Sequence, residues 1–437
     1  MFQSMKIQKR HIEIITTFIS GLVLCIIGII LLRSAVENYS LFIYLSATFL
    51  FIMSFVHLFK AITKKHSDFF FSAIELAGGI LILTAPNLPL SMLSLIFGLY
   101  LLITSIIYLI NFFLMKKGFT KTKSLLLSII SFALSVFIYI MYHTDRFISV
   151  YIMATYFLIW GISLMLNSLI DLLFKNANNP KIRVCLPAGI DCLIPNMWLN
   201  RVNKYYREQK EEIEVKKENQ EHDLEVFIHA SHNGFNTFGH VDVLFEGTLY
   251  SYGNYDGRSE RFFSMIGDGV VFKTQDREAY IRFCLKRCKK TLFVFGLKLT
   301  EEQKQSVKKH IEKLNQDMVL WDPDFIHAPL EKGAPSIDLH VHQIFHEAKG
   351  TLYKFKKGTF KTYYVFGNNC VRFVDTIIGK NIDIIKLVGF ITPGTYLDYF
   401  DGEFNRFSSN VVSREIYSIY NYDIGEEDEN DPYKDFD

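Results

Sequence analysis

The sequence predicts two parts of different fold class: a membrane α-helical bundle of about six transmembrane helices, then an α+β domain. Between His11 and Phe174 the chain has apolar runs of about 20 residues, the length needed to cross a bilayer, separated by short polar or basic breaks. From Glu225 onward the pattern changes to alternating strands and amphipathic helices. These two observations carry the prediction.

The membrane-spanning runs are recognised by their length and their lack of charge. The whole chain is 50% hydrophobic with a formal net charge of +2, values that suit a soluble enzyme and a membrane protein equally. The distribution decides between them, because no comparable run follows Lys175. The predicted spans are residues 12–32, 41–59, 69–84, 90–115, 125–141 and 148–174.

Basic residues in the short loops predict the orientation, since Lys and Arg are retained on the cytoplasmic side. An even number of spans places both ends of the bundle on one face. That face carries thirteen basic residues, against Arg33 and Arg146 on the other. We therefore expect a multi-pass protein of the cell membrane with its soluble domain in the cytoplasm. The thirteen are Lys6, Lys9, Arg10, Lys60, Lys64, Lys65, Lys116, Lys117, Lys121, Lys123, Lys175, Lys181 and Arg183.

Changes in composition divide the chain into four regions. In the second region, residues 184–198 are apolar but too short to span, and we expect them at the membrane surface. Residues 201–222 read as a charged helical spacer. The regions are 1–175, the membrane bundle of three helical hairpins; 176–224, the interfacial segment and charged linker; 225–421, the α+β domain; and 422–437, an acidic tail expected to be disordered.

The membrane part is internally repeated. Similar segments recur on alternate spans at residues 48–55, 98–105 and 155–162, each preceded by a span that contains Gly or Ser. This pattern resembles the HdeD-like family of acid-resistance membrane proteins, which are built from such helix pairs. The ionisable residues inside the spans, His57, Glu75 and Asp171, all lie near an interface, so we expect them to reach water and predict no ion pathway.

In the α+β domain, strands are predicted by β-branched and aromatic content between turn residues, and helices by amphipathic periodicity. The helix from residue 301 opens with a capping box at Thr300. The predicted strands are residues 224–229, 240–245, 248–252 and 291–297, and the predicted helices are 276–289, 301–314 and 369–378.

Two short segments of this domain carry candidate chemistry. Residues 238–245 place His240 at the start of a strand, and residues 366–374 place Cys370 at the start of a helix. Unpaired backbone N–H groups and the positive end of the helix dipole stabilise a thiolate there. A thiolate beside an imidazole is the minimum apparatus for nucleophilic acyl transfer.

The other cysteines are expected to be structural. Five of the six cysteines follow the bundle, and their odd number in no framework spacing argues against a disulfide scaffold. Cys284 and Cys288 lie one helical turn apart without a second pair to complete a zinc site. The segment with His340, His342 and His346 would place two imidazoles on one face if it were a strand. No acidic base is spaced as in zinc enzymes, so we predict no metal and no cofactor.

At these residues the domain resembles the circularly permuted, papain-like NlpC superfamily, in which the histidine strand precedes the cysteine helix. Lecithin retinol acyltransferase-like proteins are the most similar members, with a helix that opens Asn-Cys and continues with Phe-Val, as residues 369–374 do. The histidine strand and residues 299–303 also look like Lnb-type periplasmic domains. The resemblance implies that Cys370 is the nucleophile and His240 the base.

A third residue should orient the imidazole. Family members place a second polar group on the strand after the histidine strand, where this chain offers Ser251, Tyr252 and Asn254 and no histidine. We expect Tyr252 or Asn254 to orient His240. Asn369 and the backbone N–H of Cys370 are the expected oxyanion donors, although Asn369 also suits an ordinary N-cap.

The resemblance implies a membrane-anchored, cysteine-dependent acyltransferase or acyl hydrolase acting on lipid or lipidated substrates. Lipoprotein N-acylation is one version, but its acceptor lies outside the cell, against the predicted orientation. The alternatives are a cysteine peptidase or amidase of the NlpC type and a catalytically inactive binding or stress-response module. The expected partners are membrane lipids and a lipid or lipoprotein substrate, with room for a membrane protein partner and no role for nucleic acid.

Overall fold

The computed structural model describes most of the predicted bundle and of the α+β domain. Three predictions lie wholly or largely outside the described residues: the interfacial segment 184–198, the spacer 201–222 apart from residues 214–216 and 221–222, and all but residues 422 and 433 of the acidic tail. The chain divides into two compact units, Ile12–Leu169 and Met1–His11 with Ile170–Asp437. The described residues are 2–33, 35–63, 68–114, 119–144, 147–173, 214–216, 221–231, 239–328, 335–378, 392–405, 409–422 and 433.

The N-terminal part is helical, and each of its helices overlaps one predicted span. The helices are α1 (Phe2–Arg33), α2 (Ala35–Thr63), α3 (Asp68–Thr84), α4 (Asn87–Leu114), α5 (Phe119–Thr144) and α6 (Ile148–Leu173). Within the described residues three of them are long and apolar enough to cross a membrane, and the apolar segments of the other three are shorter. The longer segments are Ile14–Arg33, Ser94–Leu114 and Lys121–Met141; the shorter are Ile43–Phe59, Ser72–Thr84 and Val150–Leu166.

Small polar residues join neighbouring helices of this unit. Ser54 on α2 and Ser72 on α3 each donate a hydrogen bond to the other's backbone carbonyl, both at 2.9 Å. Ser105 on α4 and Ser128 on α5 repeat this arrangement at 2.9 and 3.0 Å. Small residues allow such close approach of helix backbones in lipid. These pairs, α2 with α3 and α4 with α5, are offset by one helix from the hairpins expected from the sequence.

A side-chain hydrogen bond joins α2 and α3. His57 Nδ1 is 2.8 Å from Glu75 Oε2. Both side chains are about one-fifth exposed. The two residues expected to reach separately for an interface therefore satisfy each other, as polar groups in lipid generally must.

The C-terminal domain is built on a nine-stranded sheet in which every described neighbouring pair is antiparallel. Its order is β1-β11-β7-β2-β3-β4-β6-β9-β8, and β5 and β10 form a separate two-stranded ribbon. The strands are β1 (Glu214–Lys216), β2 (Leu224–Ala230), β3 (His240–Phe245), β4 (Thr248–Gly253), β5 (Ile266–Asp268), β6 (Val270–Thr274), β7 (Thr291–Leu297), β8 (Met318–Leu320), β9 (Thr351–Phe355), β10 (Thr362–Tyr364) and β11 (Val411–Tyr417).

Helices cover both faces of the sheet because successive side chains of each strand point to opposite sides. On β3, Val241 and Val243 belong to one hydrophobic core, which also contains residues of α8, α10 and α11. The opposite core contains residues of α7 and α9. The helices are α7 (Arg277–Lys286), α8 (Glu301–Gln316), α9 (Ser336–Glu347), α10 (Cys370–Ile378) and α11 (Pro393–Asn405).

Local structure departs from the sequence analysis at three places. The histidine-rich segment, considered there only as a conditional strand, is the helix α9, because Val341 and Ile344 are buried three residues apart, the spacing of one helix face. Residues 214–216 of the expected helical spacer form β1, since they pair with β11 at the sheet edge. The acidic tail is ordered at Tyr433, which is buried and hydrogen-bonded to His342 at 2.8 Å.

Candidate active site

Cys370 is the first residue of α10, where the sequence places it. The preceding residue, Asn369, caps the helix: its Oδ1 accepts the backbone N–H of Arg372 at 3.0 Å, and its Nδ2 donates to the carbonyl of Val365 at 2.8 Å. The Asn369 side chain thus serves as an N-cap, with one of its two amide N–H donors used by Val365. The backbone N–H of Cys370 lies in the first helical turn, whose N–H groups the helix itself does not use.

The loop in front of the cysteine is held by a second asparagine. Asn368 is buried, donates from Nδ2 to the carbonyl of Thr359 at 2.9 Å and accepts Arg372 Nη1 at 3.0 Å. Both asparagines therefore tie the cysteine loop to its surroundings. Such support fixes the position of Cys370.

His240 opens β3, and the Cys370 thiol is close enough to its imidazole to influence its pKa. It follows Gly239, whose φ of +79° lies in the left-handed region that favours glycine. β3 also packs against α10. The two residues singled out from the sequence, a histidine strand and a cysteine helix, are therefore brought together by the fold.

Asp242 is the buried group behind His240. The two residues are separated by one position on β3, so their side chains share a face of the sheet. Asp242 Oδ1 lies 2.8 Å from His240 Nε2, and Asp242 itself is fully buried.

A second imidazole shares the same carboxylate. His229 on β2 is the register partner of His240, and its Nε2 lies 2.6 Å from Asp242 Oδ2. The Tyr280 hydroxyl on α7 donates to the same oxygen at 2.6 Å. The two imidazole contacts with Asp242 are short but not aligned as hydrogen bonds.

The electrostatics of this cluster shift the pKa values of its two imidazoles in opposite directions. Burial opposes charge on His240, but the Asp242 carboxylate and the contact with Cys370 outweigh it and raise the His240 pKa to about 10. Burial dominates at His229 and lowers its pKa to about 4 in spite of Asp242. Burial alone would raise the pKa of Asp242, yet the two imidazoles hold it well below its ordinary range. At neutral pH the cluster holds a carboxylate, an imidazolium and a neutral imidazole.

Ser251 is the polar group that the next strand contributes. Its Oγ and His240 Nε2 are hydrogen-bonded at 3.0 Å, and the same Oγ is 2.7 Å from the hydroxyl of Tyr255. Ser251 is one of the three polar residues noted on this strand from the sequence. The two preferred candidates, Tyr252 and Asn254, do not contact His240, so the expectation that one of them orients its imidazole needs correction.

Tyr252 and Asn254 bond to other groups. The Tyr252 hydroxyl donates to the carbonyl of Phe360 at 3.0 Å, on the opposite face of β4 from Ser251, and its ring stacks on Phe373. Asn254 Nδ2 donates to Glu260 Oε1 at 3.3 Å. The side-chain partners of His240 are Asp242 and Ser251 in place of Tyr252 or Asn254, because strand alternation directs residue 252 into the other core.

Sequence reasoning missed Asp242, His229 and Tyr280. For Asp242 a signal existed, since a carboxylate two residues after a histidine on a predicted strand must share its face. His229 and Tyr280 carry no such signal, because only the pairing of β2 with β3 and the packing of α7 bring them to the carboxylate.

The histidines of α9 do not form a metal site. His340 Nδ1 is 3.9 Å from the sulfur of Cys288, His342 bonds Tyr433, and His346 Nε2 bonds the carbonyl of Ile326 at 2.7 Å. Among the described residues no group of three His, Cys, Asp or Glu side chains is placed to hold a metal ion. Cys284 and Cys288 are free thiols.

Comparison with protein families identifies a repeat in the N-terminal part. A family model described as a short repeat of unknown function (DUF308) matches residues 19–78 and again residues 70–140. The membrane helices match this repeat twice. The match supports the resemblance to HdeD-like proteins, and with the apolar helices it marks the chain as a membrane protein. It does not reach the α+β domain, and comparisons with curated proteins and with solved structures found no significant match.

Proposed function

We propose that this chain is a membrane-anchored, cysteine-dependent acyltransferase or acyl hydrolase, and that its C-terminal domain is a permuted papain-like domain. The observation that carries the proposal is the contact of Cys370, at a helix start, with His240, whose far side rests on a buried carboxylate. A nucleophile, a base and a group that orients the base are the parts that covalent acyl transfer needs.

In the first step the Cys370 thiolate attacks the carbonyl carbon of an acyl ester and forms a C–S bond. An imidazolium in contact with a thiol favours this thiolate, and the charge state of His240 at neutral pH provides one. The ester C–O bond then breaks, and the leaving oxygen takes the proton held by His240. The products of this step are an S-acyl thioester and an alcohol.

In the second step the neutral His240 imidazole accepts a proton from an incoming amine or water. The amine or water attacks the thioester carbon, the C–S bond breaks, and the acyl group passes to the acceptor. The thiolate and the imidazolium are restored. Asp242 keeps the ring oriented and compensates its charge in both steps.

The negative oxygen formed in each step needs a donor. The helix start offers the backbone N–H of Cys370, and the Asn369 amide, held in place by Val365 and Arg372, has a second N–H donor. Donors at a capped helix end are fixed before reaction, so they cost no reorganisation when charge develops.

The membrane helices favour a lipid or lipidated substrate. Tethering confines the active site to the surface where such substrates are concentrated and so raises their effective concentration. We further propose six spans with the soluble domain in the cytoplasm, from the charges of the loops. A reporter fused after Asp437 should then be active only in its cytoplasmic form, and labelling of that site by an impermeant reagent on intact cells would contradict the orientation.

The central test is a mass measurement on the full-length protein. Reconstituted in vesicles of phosphatidylethanolamine and phosphatidylglycerol, it should acquire one acyl adduct, located on Cys370. Cys284→Ser should keep the adduct and Cys370→Ser should lose it. Cleavage of an amide substrate without an acyl-lipid adduct would favour the peptidase alternative. If Cys370 also alkylates no faster than Cys284 and Cys288, the domain is a non-enzymatic module.

A further inference from the structure

A tight turn between Asp256 and β5 carries two adjacent phenylalanines. Arg261 and Ile266 exchange both backbone hydrogen bonds, at 2.8 and 3.2 Å, and enclose a four-residue loop. Phe262, Phe263 and Ser264 in this loop have φ values of 50°, 55° and 65°. Three successive side-chain-bearing residues in the left-handed region are unusual, and such conformations persist where surrounding structure imposes them.

Polar contacts hold the backbone of this turn. The Ser264 hydroxyl donates to Glu260 Oε2 at 2.6 Å, and Asn254 Nδ2 donates to Glu260 Oε1 at 3.3 Å. The Met265 N–H also donates to the carbonyl of Phe262 at 3.2 Å. These hydrogen bonds fix the backbone of the turn, and this fixed backbone directs its two rings outward.

The two rings are almost entirely exposed. Phe262 is 73% and Phe263 is 87% exposed; among the membrane-helix residues whose burial the structure describes, the most exposed large apolar residue is Phe113, at 72%. These two neighbouring rings are thus at least as exposed as the apolar side chains of the membrane helices. Exposed apolar patches of this kind mark an interaction surface. Arg261 beside them is exposed as well.

The turn lies beside the loop that leads to the nucleophile. β5 pairs with β10, with Ile266 opposite Tyr364, and the Val365 N–H donates to the carbonyl of Met265 at 3.1 Å. Residue 365 is five positions before Cys370. A surface that binds the turn therefore lies close to the loop that leads to Cys370.

We infer that the turn 261–264 is an interfacial anchor that inserts Phe262 and Phe263 into the surface of a lipid bilayer, with Arg261 at the level of the phosphate headgroups. A stable protein interface needs roughly 800 Å² from each partner, more than four residues supply. An interfacial anchor needs only a few apolar side chains beside a basic one. The bilayer is also the surface to which the chain's own helices confine it.

Tryptophan fluorescence tests the anchor without depending on any activity. The full-length protein is reconstituted in vesicles of phosphatidylethanolamine and phosphatidylglycerol. The emission added by Phe263→Trp should then be shifted to the blue of the emission of a tryptophan exposed to water. Bromine on the acyl chains should quench most of this added emission. Leu320→Trp, at an exposed apolar position on the edge strand β8, is the matched control and should be neither shifted nor quenched.

Two outcomes would overturn the inference. If the emission added by Phe263→Trp is not quenched while that of the native Trp160 in α6 is, the turn stays in water or meets a protein. If Phe263→Trp and Leu320→Trp are quenched alike, lipid contact is not specific to the turn.

The role of the anchor rests on the proposed function and is tested separately. Phe262→Asn with Phe263→Asn suits the left-handed turn, because Asn tolerates this backbone conformation. The double variant should lose most acylation of Cys370 from vesicle lipid, while alkylation of Cys370 by soluble iodoacetamide stays unchanged. Undiminished acylation in the double variant overturns the role of the turn. If the parent protein itself is not acylated, that result counts against the proposed function only, and the quenching result still stands.

Discussion

One carboxylate controls the charge of two imidazoles at the candidate site. Asp242 lies within 2.8 Å of His240 and 2.6 Å of His229, and all three side chains are largely or fully buried. The same carboxylate accepts the hydroxyl of Tyr280. Removing a charge from such a cluster leaves partners that neither water nor other side chains can satisfy.

Asp242→Asn should affect both reactivity and stability. Its carboxylate is the strongest influence that raises the pKa of His240, so His240 should lose its proton near neutral pH and alkylation of Cys370 at mildly acidic pH should slow. Breaking a buried pair by removing one partner costs about 3–5 kcal/mol. Iodoacetamide kinetics followed by peptide mapping, and thermal unfolding in detergent, measure the two effects.

Tyr252→Phe is the matched control for this prediction. It removes a buried hydroxyl that bonds Phe360 and not His240, so it should destabilise by about 1 kcal/mol and leave the alkylation of Cys370 unchanged. If Tyr252→Phe slows alkylation as much as Asp242→Asn does, the orienting role of Asp242 is wrong.

The start of β3 positions His240 through its backbone. Gly239 combines a φ of +79° with close packing: a Cβ there would lie 2.8 Å from the carbonyl of His229 and 3.0 Å from Pro393 Cβ. A side chain at this position would have to displace the first residue of the strand, and that residue is His240.

Gly239→Ala should therefore strain the strand where it carries the imidazole. We expect a loss of about 1–3 kcal/mol in stability, typical of a residue forced into an unfavourable backbone region, together with slower alkylation of Cys370. Gly402→Ala on α11 is the control, because no atom lies within 4 Å of its added Cβ. Equal behaviour of the two variants would show that β3 tolerates a side chain at residue 239.

The domain as a whole buries two neutral imidazoles. His229 has a pKa of about 4 and His340 a pKa of about 3, because burial in each case opposes the charged form. His340 packs its ring parallel to that of Tyr255 with centroids 6.0 Å apart. Both groups titrate below the ordinary histidine value of 6.5, so the unfolded chain binds their protons first.

The domain should therefore lose stability in acid. As pH falls below 6.5 the unfolded state takes up protons that the folded state refuses until about pH 4 at His229 and about pH 3 at His340. Each group contributes up to about 1.4 kcal/mol per pH unit in its window. His240 affects stability at higher pH. Its contribution to the free energy of unfolding is complete below pH 6.5 and is lost as pH rises toward 10.

Unfolding of the full-length protein in detergent, followed across this pH range, measures the slope. His340→Phe keeps an aromatic ring in place and removes the titrating group, so it should lose about half of the acid slope. An unchanged slope in His340→Phe would show that His340 is protonated in the folded protein.

The sequence by itself determined what depends on local pattern. Apolar runs of spanning length, period-two strands and the capping box at Thr300 each act within one element, so the helices of the membrane part, β2 to β4, β7 and α8 were predictable. Cys370 was singled out because a helix start stabilises a thiolate, and His240 because it opens a strand that precedes that helix. The short strands β5, β8 and β10 were not, since each exists only through a neighbouring strand.

Only the tertiary structure decided the partners of the imidazole. Strand pairing in one register sets His229 beside His240, and strand alternation turns Tyr252 into the opposite core while it turns Ser251 toward the base. α7 delivers Tyr280 to Asp242 across 38 residues of sequence. A buried charge is stable only if the whole fold supplies its partners, and no local pattern records which distant residues those are.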